Sequence, residues 1–125
     1  MILGLGSDLA EVARIRASRE RFGDRFLQRV YTQAEIDYAM SKANADERLA
    51  GRFAAKEAGM KALGTGLTGG ITWKDLAVGR EASGKPTLHL SGVAKQRADE
   101  MGVTRIHLTI THTGDLAMAV VVLEG

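Results

Sequence analysis

"GRFAAKEAGMKALGTG", Gly51 to Gly66, sets the architecture of this chain. Placed on a helix at about 100° per residue, Leu49, Phe53 and Met60 share one face, with Leu63 at its edge. Ala50, Ala54, Ala58 and Ala62 recur at i, i+4 and form a second face of small side chains, against which another backbone packs closely. Glu57 and Lys61 project between these faces, Lys56 falls within the large apolar face, and Gly64 is a C-terminal stop. The stretch specifies a central helix from about Glu47 to Leu63, with both surfaces to be covered and three charges to be explained.

The elements around it are read outward. Before it, "YTQAEIDYAMSK" opens a helix with Thr32 and Glu35 at capping-box spacing, and the polar "ANADE" separates the two helices. Further upstream, residues 2–7 read as a strand, Asp8 as a cap, and residues 9–22 as a helix that continues past Gly23 toward Arg29. Val12, Ile15, Phe22 and Phe26 lie on its apolar side, and Arg14, Arg21 and Arg25 lie opposite. After the central helix come "GTGLTGG", a strand at 75–80, an "SGKP" turn, a strand at 87–90 and a helix capped by Ser91. The chain closes on a hairpin, "RIHLTIT" and "LAMAVVVLE", whose second arm is apolar nearly throughout and reads as buried on both faces. This is an α+β pattern with a small antiparallel sheet, one domain over residues 1–125, and too little material to cover both sheet faces, which points to an oligomer.

Composition narrows the chemistry. Hydrophobic residues make up 45% and charged residues 26% of the 125, as in ordinary globular proteins, and a chain of this size buries roughly two thirds of its unfolded surface. The absence of cysteine excludes disulfides, thiol nucleophiles and cysteine-held metals. No apolar run reaches membrane-spanning length and the N-terminus lacks a basic head, so a cytoplasmic location with no membrane partner is expected. The net charge is +2, yet six arginines against Glu20 and Asp24 place +4 within residues 14–29, a patch suited to an acidic partner. Few aromatics and no recognisable binding motif argue against nucleic acid as that partner.

Several residues carry two readings. Glu57 and Lys61 at i, i+4 form an exposed pair worth about 0.3–0.5 kcal/mol, or else a desolvated carboxylate that needs a partner charge or a metal. Asp8 is a helix cap, or an acid reaching into a cleft from a strand end. Two carboxylates are too few to cage a metal alone, which is the Mg²⁺ pattern of one or two acids with waters and phosphate oxygens. The glycine loop beginning at Gly64 is a flexible turn or an approach for phosphate to backbone N–H groups, and no Walker Lys-Ser/Thr follows it. Lys85 is a turn lysine, and His112 lies at the hairpin tip. No G-x-S-x-G elbow is present. A non-catalytic module that binds a nucleotide cofactor is the alternative to an enzyme.

"GSDLAEVARI", with Gly6, Asp8 and Arg14 in the G-x-D-x-x-x-x-x-R pattern, "GRFAAKEAGMKALGTG", "GKP" and "HLTITHT" together resemble the bacterial holo-[acyl-carrier-protein] synthases, the small class of 4′-phosphopantetheinyl transferases. The resemblance covers essentially the whole chain. It implies an α+β homotrimer with active sites at subunit boundaries, and Mg²⁺-dependent transfer of phosphopantetheine from coenzyme A to a serine of apo acyl carrier protein. It places the metal-binding acids on Asp8 and Glu57, and the motif lysine on Lys61. Glu57, directly or through a metal-bound water, would accept the serine proton, and Lys61 would neutralise or protonate the leaving phosphate. Lys56, Gly64, Lys85 and His112 would contact the cofactor, and Arg14, Arg21 and Arg25 would dock the acidic carrier.

Overall fold

A computed structural model describes all residues 1–125. The fold is built around helix α4, Ala45–Leu63, which carries Asp46 and Glu47 in its first turn and Lys61 in its last, as the helix dipole favours. It ends at Gly64, whose φ of 77° is the left-handed cap expected of a glycine. Ala50, Ala54, Ala58 and Ala62 are all buried. Against them lies strand β1, Ile2–Glu11, so closely that a Cβ on Gly6 would stand 2.0 Å from the Ala58 carbonyl oxygen and one on Gly4 2.3 Å from that of Ala62. The small-residue face and the thin strand are two halves of one backbone-on-backbone contact.

β1 pairs antiparallel with β5, Leu116–Glu124, which pairs in turn with β4, Arg105–Thr113, giving a three-stranded sheet in the order β1-β5-β4. Thr113 opposite Leu116 closes the hairpin on Gly114 and Asp115, with Gly114 at φ 51°. A second sheet joins β2, Leu76–Arg80, to β3, Pro86–Leu90. A single 3₁₀ turn at Trp73–Asp75 leads into it, and helix α5, Gly92–Met101, follows it. Ser91 occupies the α5 cap position without a side-chain bond. Helix α3, Gln33–Met40, has the expected box, with Glu35 N donating to Thr32 Oγ1 at 3.2 Å and Thr32 N to Glu35 Oε1 at 2.8 Å.

Three expectations change. β1 runs four residues beyond the expected strand, because pairing with β5 persists through Glu11 opposite Leu116, so helix α1 begins at Val12 and spans Val12–Phe22. Asp8 is therefore a strand residue opposite Ala119 and caps nothing. Gly23, at φ 56°, ends α1 and starts α2, Asp24–Val30. The helical register breaks there, yet Phe26 on α2 still packs against the core, whereas Phe22, the last residue of α1, is 48% exposed and does not join Val12 and Ile15.

β5 is buried on one face only. Ala117, Ala119, Val121 and Leu123 face α4, whereas Leu116 and Met118 are exposed and Val120 and Val122 half-buried. Cross-strand pairing puts Leu9 beside Met118 and Leu5 beside Val122 on that same open face, and both leucines are exposed. No helix is long and apolar enough to cross a membrane.

Candidate active site

A cleft of about 430 Å³ opens where β1 hands over to α1 above the middle of α4. Asp8, Glu11, Arg14, Phe53 and Glu57 are among the residues that line it. Asp8 reaches it because period-2 alternation puts Gly6, Asp8 and Ala10 on the α4 side of the strand. Glu57 reaches it from α4, and Phe53, one turn earlier, forms the wall by stacking on Trp73 with ring centroids 5.0 Å apart. Lys61 does not spend its charge on Glu57. Its Nζ lies 3.2 Å from Asp8 Oδ1 and donates to the Ser7 carbonyl at 3.0 Å. Burial raises the Glu57 carboxyl above its ordinary value, the neighbouring Asp8 charge adds to this, and Lys61 opposes it. No group of three or more His, Asp or Glu converges to cage an ion. Three acids line the cleft, and of these Asp8 and Glu57 are close enough for the charge of one to hinder ionisation of the other; such a pair suits a divalent cation that takes its remaining oxygens from a phosphorylated substrate.

The other expected cofactor residues fall elsewhere. His112 lines a second cleft, of about 180 Å³, with the turn residues Gly84 and Pro86. Its Nε2 bonds the Glu47 carbonyl at 3.0 Å, and since a carbonyl only accepts, Nε2 carries the proton. The ring approaches α4 there because Gly51 has no Cβ; one would stand 2.7 Å from Nε2. Sequence reasoning missed the rest of this cleft, namely Tyr38, Arg48, Arg52 and Arg80. Arg52 is buried with its Nε unpartnered, and burial lowers its pKa, with Arg48 and Arg80 pushing the same way. The i, i+4 spacing of Arg48 and Arg52 was the available signal; nothing in the sequence joins Arg80 to them. Lys85 sits exposed in the turn between Gly84 and Pro86, its backbone N–H 3.4 Å from Ser83 Oγ. Gly64 lies three residues beyond Lys61, with open space where a Cβ would be.

Lys56 is a correction. Its side chain is fully buried, with Nζ 2.8 Å from Glu35 Oε1 and donating to the carbonyls of Trp73 and Leu76 at 3.2 and 2.6 Å. All three ammonium donors are used, so none remains for a cofactor phosphate. Its position in the large apolar face of α4 was the clue, because that face is turned to the core.

A profile of the 4′-phosphopantetheinyl transferase superfamily matches residues 4–121. The chain belongs to this superfamily. Among its 4′-phosphopantetheinyl transferase relatives is a holo-[acyl-carrier-protein] synthase of Koribacter versatilis, 59% identical over 99% of each chain. That of Solibacter usitatus is 57% identical over the full length of both. The crystal structure of the holo-[acyl-carrier-protein] synthase from Neisseria meningitidis is similar over the whole of both chains, with a TM-score of 0.91 at 34% identity. That from Helicobacter pylori, determined in complex with coenzyme A, gives 0.85 at 31% identity over 96% of this chain and 99% of that one.

The basic face of this phosphopantetheinyl transferase is narrower than its arginine count. Arg19 and Arg16 share the Asp46 carboxylate, at 2.7 and 3.1 Å, which offsets one of their two charges. Arg14, Arg21 and Arg25 stay exposed, and Arg14 lines the acidic cleft itself. Arg21 lies 5.1 Å from the Phe22 ring centroid. Arg25, Arg29, Phe22, Phe26 and Ser18 frame a slot of about 240 Å³ that shares Ser18 and Phe26 with the first cleft.

Proposed function

We propose that this chain, one domain over residues 1–125, acts through Asp8, Glu57 and Lys61, and that the meeting of Asp8 and Glu57 in one cleft, with Lys61 bonded to Asp8, carries the assignment of roles. The chain is a holo-[acyl-carrier-protein] synthase: it transfers the 4′-phosphopantetheine arm of coenzyme A to a serine of apo acyl carrier protein and releases adenosine 3′,5′-bisphosphate. The serine oxygen bonds to the phosphorus bearing pantetheine, and that phosphorus separates from the bridging oxygen of the diphosphate. Glu57 takes the serine proton, a task favoured by a carboxyl whose pKa is raised toward working pH. The Lys61 ammonium, beside Asp8, neutralises the leaving phosphate. Asp8 and Glu57 are the residues that would hold Mg²⁺, which supplies charge neutralisation at the diphosphate when bound.

Coenzyme A carries one further phosphate, on the 3′ position of its ribose. The carboxylate-free cleft of Arg48, Arg52, Arg80 and His112 suits it, with Lys85 at its rim. We read the enzyme as a cytoplasmic homotrimer, in which neighbouring copies cover the open face of Leu5, Leu9, Met118 and Val122 and bring one copy's arginine cleft to another's acidic cleft. The carrier docks on the exposed arginines and the Phe22 slot, and neither nucleic acid nor a membrane is a partner.

Mixing the protein with apo carrier, coenzyme A and Mg²⁺ and weighing the carrier tests the activity; an unmodified carrier would refute it. Arg21→Glu and Arg25→Glu should raise the carrier KM about tenfold, with a smaller effect at high salt, and leave the coenzyme A KM within about twofold. Equal rises in both constants would move docking off this face.

A further inference from the structure

Three cations crowd one aromatic ring at the second cleft. The Arg52 and Arg80 guanidinium carbons lie 4.4 and 4.2 Å from the Tyr38 ring centroid, and Lys42 Nζ lies 5.4 Å away. These side chains come from α3, its C-terminal loop, α4 and the end of β2, so no single element holds them together. Arg48 and His112 add to the same side, and no carboxylate lines the cleft. The one acid near Arg52, Glu35, is committed to Lys56 and to the backbone N–H groups of Thr32 and Val78. Like charges gathered without counter-charge separate unless something attracts them in common. The negative face of the tyrosine ring is that attraction, and two guanidiniums within about 6 Å of one centroid are well inside the range in which it operates. Arg52 is 5% exposed and its Nε has no partner, so its orientation is not set by a hydrogen bond at that nitrogen.

We propose that Tyr38 is a positioning residue, whose ring holds Arg52 and Arg80 in place as a preformed receptor for the 3′-phosphate of coenzyme A. The inference rests on the assignment of that phosphate to the arginine cleft. Its hydroxyl is not required; its ring is. Tyr38→Phe keeps the ring and retains wild-type constants. Tyr38→Leu and Tyr38→Met remove it and let the guanidiniums drift into water. Each raises the coenzyme A KM about tenfold, the scale of one to two lost cation–π contacts, while kcat and the carrier KM stay within about twofold.

The deciding comparison is coenzyme A against 3′-dephospho-coenzyme A, in full-length enzyme, with thermal melts run alongside. Wild type and Tyr38→Phe should favour coenzyme A, and the Leu and Met variants should lose most of that preference with an unchanged KM for the dephospho form. If wild type shows no preference, the assignment of the phosphate to this cleft is wrong. If wild type prefers coenzyme A and the Leu and Met variants keep the preference, the cleft stands and the ring's role is overturned. Unfolding of both the Leu and Met variants, or a tenfold effect of Tyr38→Phe, also overturns it, making the ring's packing or its hydroxyl the operative feature.

Discussion

Glu57→Gln lowers phosphopantetheine transfer by about a thousandfold or more and raises the melting temperature at neutral pH. The first half follows from the role of the carboxylate as proton acceptor beside Asp8. The second follows from what its charge costs the fold. Burial raises the Glu57 carboxyl, Asp8 pushes the same way, and Lys61 offsets them only in part. In the unfolded chain the same group titrates at its ordinary, lower value. Between the two values the folded state holds more protons, so stability falls as pH rises through that window, and above it the full cost is present. Glutamine removes the charge at equal size. The variant should therefore melt above wild type at pH 8, and the difference should shrink as pH falls below the ordinary carboxylate range. Mg²⁺ should raise the melting temperature of wild type at pH 8 more than that of the variant. Thermal melts at pH 4 and 8, with and without Mg²⁺, and the carrier mass shift measure all of this. A variant as active as wild type would remove Glu57 from the reaction, and one less stable at pH 8 would show its carboxylate to be supported, not strained.

Lys56→Met unfolds much of the protein's stability without touching the chemistry. The pair it forms with Glu35 is entirely buried on both sides. Removing the cation leaves the Glu35 carboxylate inside the core, held only by the Thr32 and Val78 N–H groups at 2.8 and 2.5 Å. A buried charge stripped of its partner costs about 3–5 kcal/mol, and the two carbonyls that Lys56 served lose their donor as well. The melting temperature should drop by roughly 10 °C or more. Adding Glu35→Gln to Lys56→Met should recover part of it, because the stranded charge is gone. At low temperature, where the single variant is still folded, its coenzyme A KM should stay near wild type. An unchanged melting temperature with a raised coenzyme A KM would instead return Lys56 to the cofactor site.

These two predictions concern adjacent residues of one motif, and sequence spacing treats them alike: both are charges in an alanine-rich helix. The 100° between them divides their fates. Lys56 faces α3 and β2, where it is sealed, and Glu57 faces the space beside β1, where it stays half open. The α4 pattern did show the apolar face, the alanine face and the terminating glycine, since those depend on helical periodicity and local backbone sterics. The residue types suggested Asp8 and Glu57 as a pair for Mg²⁺, but helix spacing could not bring them together, because they lie 49 positions apart; the motif resemblance supplied that link. The end of β1 was misplaced because Leu9, Ala10 and Glu11 are all good helix formers, and pairing with β5 overrides that local preference.

Local order in the chain thus determined the long helix, the capping box, the hairpin and the basic segment, because each is fixed by neighbours within a few positions, and composition alone excluded thiol chemistry. Tertiary structure alone decided which cation met which anion. Lys61 turned to Asp8 instead of Glu57, Arg16 and Arg19 were taken up by Asp46, and Arg80 was carried to Arg52 at the ring of Tyr38. Charge pairing depends on distance in space and on how much water remains between the groups, and neither is written in sequence separation.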